Sequence, residues 1–320
     1  IRDVAPSRGL GDVYKRQGGA SNVYKLRQIL LTAFANFRRW KKNPQIILAF
    51  CLAFIVSFLL SDKVLVFAKE HDTILQMAEP FIWTFGDAQS VLIISLLLLL
   101  LFADMPNLGN DVPLFLVRID RKVWVLGQIL YLILATFLFL CFILLSTCIL
   151  ASSQAFVANM WSDTAAVLGY SNIGYELNVP SFVKVMELNF PYQVMFHIFG
   201  LMLGYSIVMA GIILFFNMVK DNGGMIAGII YSGFGFLLTP DTLSDILHIP
   251  AVQSRYANII FGWISPLNHA TYYMHSFGYD NLPKLWVSYV FFAGVALLIF
   301  ILCLLRIRRY TFQFTGTQLR

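Results

Sequence analysis

Apolar residues in this chain gather into long runs, without the period-two alternation of half-buried strands. Six stretches read as membrane crossings, at 44–60, 87–102, 123–150, 192–217, 223–238 and 285–305. A helix crosses the hydrocarbon core with about 20 mostly apolar residues, so the second and fifth stretches are short and the third and fourth long. Ahead of the first, residues 22–42 place Val23, Leu26, Ile29, Leu30, Ala33, Phe34, Phe37 and Trp40 at helical spacings of three and four. Lys25, Gln28, Thr32, Arg39 and Lys42 take the other side. That pattern predicts an interfacial helix whose apolar face lies in lipid and whose basic face meets anionic headgroups. Its candidate anchor residues are Phe34, Phe37, Arg38, Arg39 and Trp40, and Pro44 then opens the first crossing.

Composition agrees with a bilayer protein. Of the 320 residues 58% are hydrophobic and 12% charged, whereas soluble domains carry about a quarter charged residues. Lys and Arg concentrate in 18–43, in 103–122 and after residue 305, while most acids fall in the alternate connections. Basic loops favour the cytoplasm, so both termini are expected inside. The net charge of +6 follows from this asymmetry and gives no support to a nucleic-acid partner. The expected fold is therefore an all-α integral membrane protein with six transmembrane helices. Its divisions are 1–19, expected to be disordered; 20–43, the interfacial helix; 44–309, the transmembrane domain; and 310–320, a cytoplasmic tail. Within the first division, the string from Ser7 to Gln17 resembles one that recurs at the ends of conceptual translations of sequencing reads, so 1–19 is treated as non-native.

Catalytic and nucleotide signatures are absent from the sequence. There is no P-loop pattern, no H-E-x-x-H and no G-x-S-x-G, so no nucleotide-binding, metallohydrolase or nucleophile-elbow chemistry is indicated. Cys51, Cys141, Cys148 and Cys303 all lie in apolar stretches without metal spacing. His197 falls inside the fourth crossing, where a packing role is expected, and His269 and His275 are six apart, a spacing that does not share a helical face. No catalytic, cofactor or metal residue is assigned. The crossings carry no Asp, Glu, Lys or Arg apart from Asp87 at one mouth, which disfavours an ion-driven carrier.

The connection at 103–122 is turn-rich, then apolar, then basic. Asn110 or Asp111 suits a helix cap, Pro113 a first turn, and 114–119 an apolar body. Arg118, Arg121 and Lys122 are three and four apart and so are expected to share a face. Gly200-x3-Gly204 and Gly224-x3-Gly228 mark the fourth and fifth crossings as a close pair, because helices in lipid associate by close packing, and the glycines suit packing either within one subunit or between two. Residues 241–248 and 265–277 are too short to cross and are expected as outer interfacial or re-entrant helices.

This order of elements resembles the permease subunits of type-2 ABC exporters, over about 21–309. The matching residues are Ala103, Asp104, Pro106, Arg118, Arg121, Trp124, Gly127 and Gln128, with weaker support from the stretch near Ile264. The resemblance implies an elbow helix, six spans with both ends inside, a coupling helix between spans two and three, and outer re-entrant helices between spans five and six. It also implies a transport subunit that is not itself an enzyme, in a bacterial plasma membrane. Such a subunit forms a substrate path as a homo- or heterodimer and is driven by separate ABC ATPase subunits that hold ATP and Mg, with no cofactor of its own. The implied ATPase-coupling residues are Leu114, Phe115, Leu116, Arg118, Arg121 and Lys122, and the helix-packing residues Gly200, Gly204, Gly224 and Gly228. The competing reading is a secondary transporter or channel independent of ATP.

Overall fold

The computed structural model describes residues 10–106, 117–171, 173–177, 179, 183–220, 223–237, 239–246, 248, 250, 254–278 and 281–310. Nearly all of them are helical. In order they form α1 (Leu10–Arg38), α2 (Pro44–Glu70), α3 (Glu79–Phe85), α4 (Ala88–Phe102), α5 (Arg121–Ala151), α6 (Asp163–Tyr170), α7 (Ile173–Glu176) and α8 (Val183–Leu188). Then follow α9 (Pro191–Val219), α10 (Gly223–Leu237), α11 (Pro240–Ile246), α12 (Ser254–Ile264), α13 (Pro266–Ala270) and α14 (Leu285–Arg306). Two short strands, β1 (Leu75–Gln76) and β2 (Ala155–Phe156), pair in parallel.

Each of the six apolar stretches is helical, but not all have spanning length. The segments Pro44–Glu70, Arg121–Ala151, Pro191–Val219 and Leu285–Arg309 are long and apolar enough to cross a membrane, and a fifth crossing follows if α3 and α4 are joined across their 88° bend. The chain is thus a multi-pass α-helical membrane protein by length and composition. The apolar α10 has only 15 residues.

Local signals explain where the helices start. Asn43 accepts a hydrogen bond from Gln45 N (3.0 Å) with Pro44 in the first turn of α2, and Asp87 accepts from Gln89 N (3.1 Å) at the start of α4. Such caps satisfy amides that have no partner within the helix. Ser265 caps α13 in the same way, ahead of Pro266.

The helix α9 is the hub. In its most apolar window 61% of residues are buried, against 22% for the last crossing, and it packs on α4, α5, α10, α13 and α14. The polar faces of α2, α10 and α14 are few, and large apolar side chains stay exposed there, including Phe58, Leu59, Ile226, Ile230 and Leu297. In a bilayer those surfaces meet lipid or another subunit.

Two expectations need correcting. The helix of the first crossing does not end at residue 60: α2 continues to Glu70, with Ser61, Val64, Phe67 and Ala68 buried on one face. In the connection that follows, α3 is buried throughout. An amphipathic helix that was not anticipated, α12, precedes the segment at 265–277.

Candidate coupling surface at the basic end

One end of the bundle collects the start of α2, the end of α4, the start of α5, the turn from α9 to α10 and the end of α14. It is the end that carries the basic connections. Here α1 lies along α5, and its sequence resolves into three faces where two were expected. Ile29, Thr32, Ala33 and Asn36 meet α5, with Thr32 at 5% and Asn36 at 7% exposure, while Val23 (69%), Leu26 and Phe34 (56%) stay exposed beside them. Lys25, Arg27 and Arg38 are exposed as well. Thr32 was assigned to the headgroup face; the structure turns it into the protein.

The contact between α1 and α5 is polar at its centre. Asn36 donates from Nδ2 to Gln128 Oε1 at 2.8 Å in a buried position, and Trp40 donates from Nε1 to the Tyr131 hydroxyl at 2.9 Å. Phe37 and Tyr131 pack edge to face at 4.9 Å. A side-chain amide pair inside a helix interface is costly to break, because each partner would be left without its hydrogen bond. Gly127 makes the approach possible: a Cβ there would lie 2.6 Å from Thr32 Cβ. We expect Gly127→Ala to lower stability by about 2 kcal/mol, the usual cost of overpacking, and Thr32→Gly in the same chain to restore most of it. Thermal unfolding in detergent measures both; a Gly127→Ala protein as stable as the parent would show that α1 is not seated this way.

A second node is Asn217, near the end of α9. Its Nδ2 donates to Met105 O (2.6 Å) and Ala103 O (3.1 Å), and its Oδ1 accepts from Gly224 N (2.8 Å) at the start of α10. One side chain therefore ties the exit of α4 to the turn between α9 and α10. Arg306 at the end of α14 adds a third tie, donating to the terminal carbonyls of α9 at Met218 (3.3 Å) and Val219 (3.5 Å). A cation at a helix C-terminus also meets the negative end of its dipole.

Of the proposed coupling residues, Leu114, Phe115 and Leu116 lie outside the described residues. Arg118, Arg121 and Lys122 are exposed, but they do not share a continuous helix. The backbone bends at Ile119, and Asp120 is extended as the N-cap of α5. The Arg118 carbonyl accepts from Gln28 Nε2 at 3.5 Å, which places the end of this connection beside α1. Asp104, at its beginning, shares a small recess with Asn36, Arg39, Asn43 and Tyr131.

The interfacial residues divide as well. Phe34 and Arg38 are exposed, Phe37 and Trp40 are half-buried in the α1–α5 contact, and Arg39 borders the recess. The two glycine pairs serve different contacts: Gly224 and Gly228 bring α10 close to α9, whereas Gly200 and Gly204 face α14. A Cβ on Gly200 would meet Tyr289 and one on Gly204 would meet Phe292, both on α14. Gly228 faces Leu99 of α4 and Ile213 of α9, and Gly224 approaches Ile213 O and Asn217.

Asn36 and Asn217 were not singled out from the sequence, and Arg306 was read only as one of the basic residues that stop the last crossing. A usable signal existed: each is a polar residue at the edge of an apolar helix, where an unpaired group would be expensive. Among the described residues no group of three or more His, Cys, Asp or Glu is arranged to hold a metal. Comparison with known protein families, characterised proteins and solved structures finds no match to this chain.

Proposed function

We propose that the chain is the permease subunit of an ATP-driven exporter of the ABC type, which forms its substrate path as a dimer and is driven by separate ATPase subunits. The observation that carries this reading is the tethering of the 103–122 connection at both ends. Asn217 holds its start to α9 and α10, and Gln28 contacts its finish from α1. Force applied to that connection by a partner is delivered to α1, α5, α9 and α10 together. An ordinary connector needs no such ties.

In this reading Leu114, Phe115 and Leu116 dock in a groove of the ATPase, and Arg118, Arg121 and Lys122 meet its acids or nearby lipid phosphates. The six apolar helices act as six spans with both termini cytoplasmic in a bacterial plasma membrane. ATP and Mg belong to the partner, and the exposed apolar faces of α2 and α10 offer surface for the second permease subunit. The test is co-purification from membranes with a P-loop ATPase encoded beside this chain. Leu116→Asp and Arg118→Glu are each expected to cut recovery of the ATPase about tenfold or more, since burying an unpaired charge at an interface costs several kcal/mol. Full recovery with both substitutions would refute docking at this connection.

A further inference from the structure

At the opposite end of the bundle, two histidines six residues apart converge on one hydroxyl. Ser265 starts α13 and the helix ends at Thr271; Tyr272–Met274 then form a single 3-10 turn. That break swings His275 to the same side as His269. Both reach Ser288 in the first turn of α14: His269 Nδ1 lies 2.7 Å and His275 Nε2 lies 2.8 Å from Ser288 Oγ. All three side chains are at most 2% exposed.

The hydrogens in this cluster do not balance when both rings are neutral. His269 Nε2 is 3.1 Å from the Trp263 carbonyl and His275 Nδ1 is 3.0 Å from the Tyr272 carbonyl. A carbonyl only accepts, so both of those ring nitrogens carry their hydrogen. A neutral imidazole has a single N–H, which leaves His269 Nδ1 and His275 Nε2 as acceptors that both face Ser288. Serine has one hydrogen to donate. One of the two contacts therefore sets lone pair against lone pair, in a place where water does not screen it.

We propose that His269, Ser288 and His275 form a binding site for one proton, taken from the aqueous phase and held between Ser288 Oγ and an imidazole nitrogen. With that proton bound, every contact in the cluster has one donor and one acceptor: one imidazolium donates to Ser288 Oγ, and Ser288 donates to the other ring. The charge changes by +1 and no other group is consumed. Losing the proton leaves one contact repulsive, so the 265–277 segment is gripped to α14 at two points when charged and at one when neutral. The exposed Met274 and half-buried Ser276 border His275, so the site lies one turn from the surface.

The surroundings set where it titrates. Burial pushes His275 down to about 4, against carbonyl contacts that raise it, and it also lowers His269. His197 on α9 adds a small repulsion on His275, and its ring is bonded to the Tyr289 hydroxyl of α14 and stacked on Tyr272. Phe291 stacks on His269. Tyr273 beside the pair donates to Ile82 O and feels Asp87, and Lys284, one turn before Ser288, is exposed. The hydrogen bond gained at Ser288 opposes the burial that lowers both rings.

The experiment is nitrogen NMR of histidine-labelled full-length protein in lipid nanodiscs from pH 8 to pH 4. At pH 8 the wild type is expected to show His269 with its hydrogen on Nε2 and His275 with its hydrogen on Nδ1. On acidification both should shift with one shared midpoint, as coupled groups do. Ser288→Ala removes the acceptor and should lower that midpoint by about one to two pH units, while Ser288→Thr should retain it and His197→Gln, which removes a small repulsion on His275, should raise it slightly. The opposite tautomers in the wild type, two rings neutral down to pH 4, or a midpoint untouched by Ser288→Ala would each overturn the site. The wild-type tautomers decide the matter even if the Ser288→Ala chain does not fold.

Discussion

Replacing Asn217 by leucine is expected to lower stability by about 3 kcal/mol while leaving the helices themselves in place. Leucine has nearly the same size, so the change removes hydrogen bonds without opening a cavity. Three groups lose their partner: the carbonyls of Ala103 and Met105 and the amide of Gly224. Each unsatisfied buried group costs about 1–3 kcal/mol, reduced where water can enter at this end of the bundle. Thermal unfolding in detergent gives the total, and hydrogen exchange locates it: protection should fall at the Gly224 amide, whose donor would then face solvent or a methyl group. Asn217→Asp sharpens the test. It keeps an acceptor for Gly224 but turns a carboxylate toward two carbonyl oxygens, so it should be at least as damaging as leucine. Unchanged stability and unchanged exchange at Gly224 in the leucine variant would mean that Asn217 does not join the 103–122 connection to α9 and α10. If the permease reading holds, the same variant should still recover its ATPase but export less per ATP hydrolysed, because docking and transmission use different residues.

Periodicity located the helices well and their limits poorly. The start of α2 was legible in Asn43 and Pro44, a cap followed by a residue suited to the first turn. Its end was not, because the apolar run stops at residue 60, ahead of Asp62 and Lys63. Charges mark where the hydrocarbon stops, whereas the helix continues as long as its backbone and one face are satisfied. Ser61, Val64, Phe67 and Ala68 supply that face, at spacings the sequence does display. Glycine spacing likewise announced close approach, and its expected partner fits Gly224 and Gly228, which approach α9, but not Gly200 and Gly204. Gly200 and Gly204 serve α14 because the bulky Tyr289 and Phe292 fill the space they leave, and nothing near either glycine in sequence points to residue 289. The histidine pair was hidden by the helix rule itself: a separation of six excludes a common face only while the helix is unbroken, and Thr271 breaks it. At the basic end, Gly127 and Gln128 were read as marks of a family pattern. Their local use, seating Thr32 and Asn36 of α1, required the tertiary contact.

The connection between α5 and α9 should depend most on a carboxylate that no composition argument would select. Glu79 is fully buried at the start of α3. Its Oε1 accepts from Ser162 N at 2.8 Å, and its Oε2 accepts from Gln76 N at 3.1 Å and from the Ser162 hydroxyl. All three partners are donors, so a carboxylate suits the site and an amide does not. The same neighbourhood pairs β1 with β2, joins Gln76 Nε2 to Ala158 O at 3.0 Å and sets Trp83 against Trp161 at 5.4 Å. Glu79 therefore fastens the connection between α5 and α9 to the connection between α2 and α4. Glu79→Gln changes one atom, yet it turns an NH2 toward an N–H or O–H and leaves at least one donor unsatisfied. The expected cost is about 3 kcal/mol, in the range for breaking a buried charge-assisted network. Ser162→Ala should cost less, about 1 kcal/mol, since it loses the α6 cap and one bond to Glu79 but spares the backbone donors. Limited proteolysis separates the effects by place: in Glu79→Gln the 152–171 stretch should be cut well before the helices of the bundle unfold, while Asn217→Leu should leave that stretch resistant. Equal resistance of Glu79→Gln and parent would show that this connection is held by the apolar contacts of Trp83 and Trp161 rather than by the carboxylate.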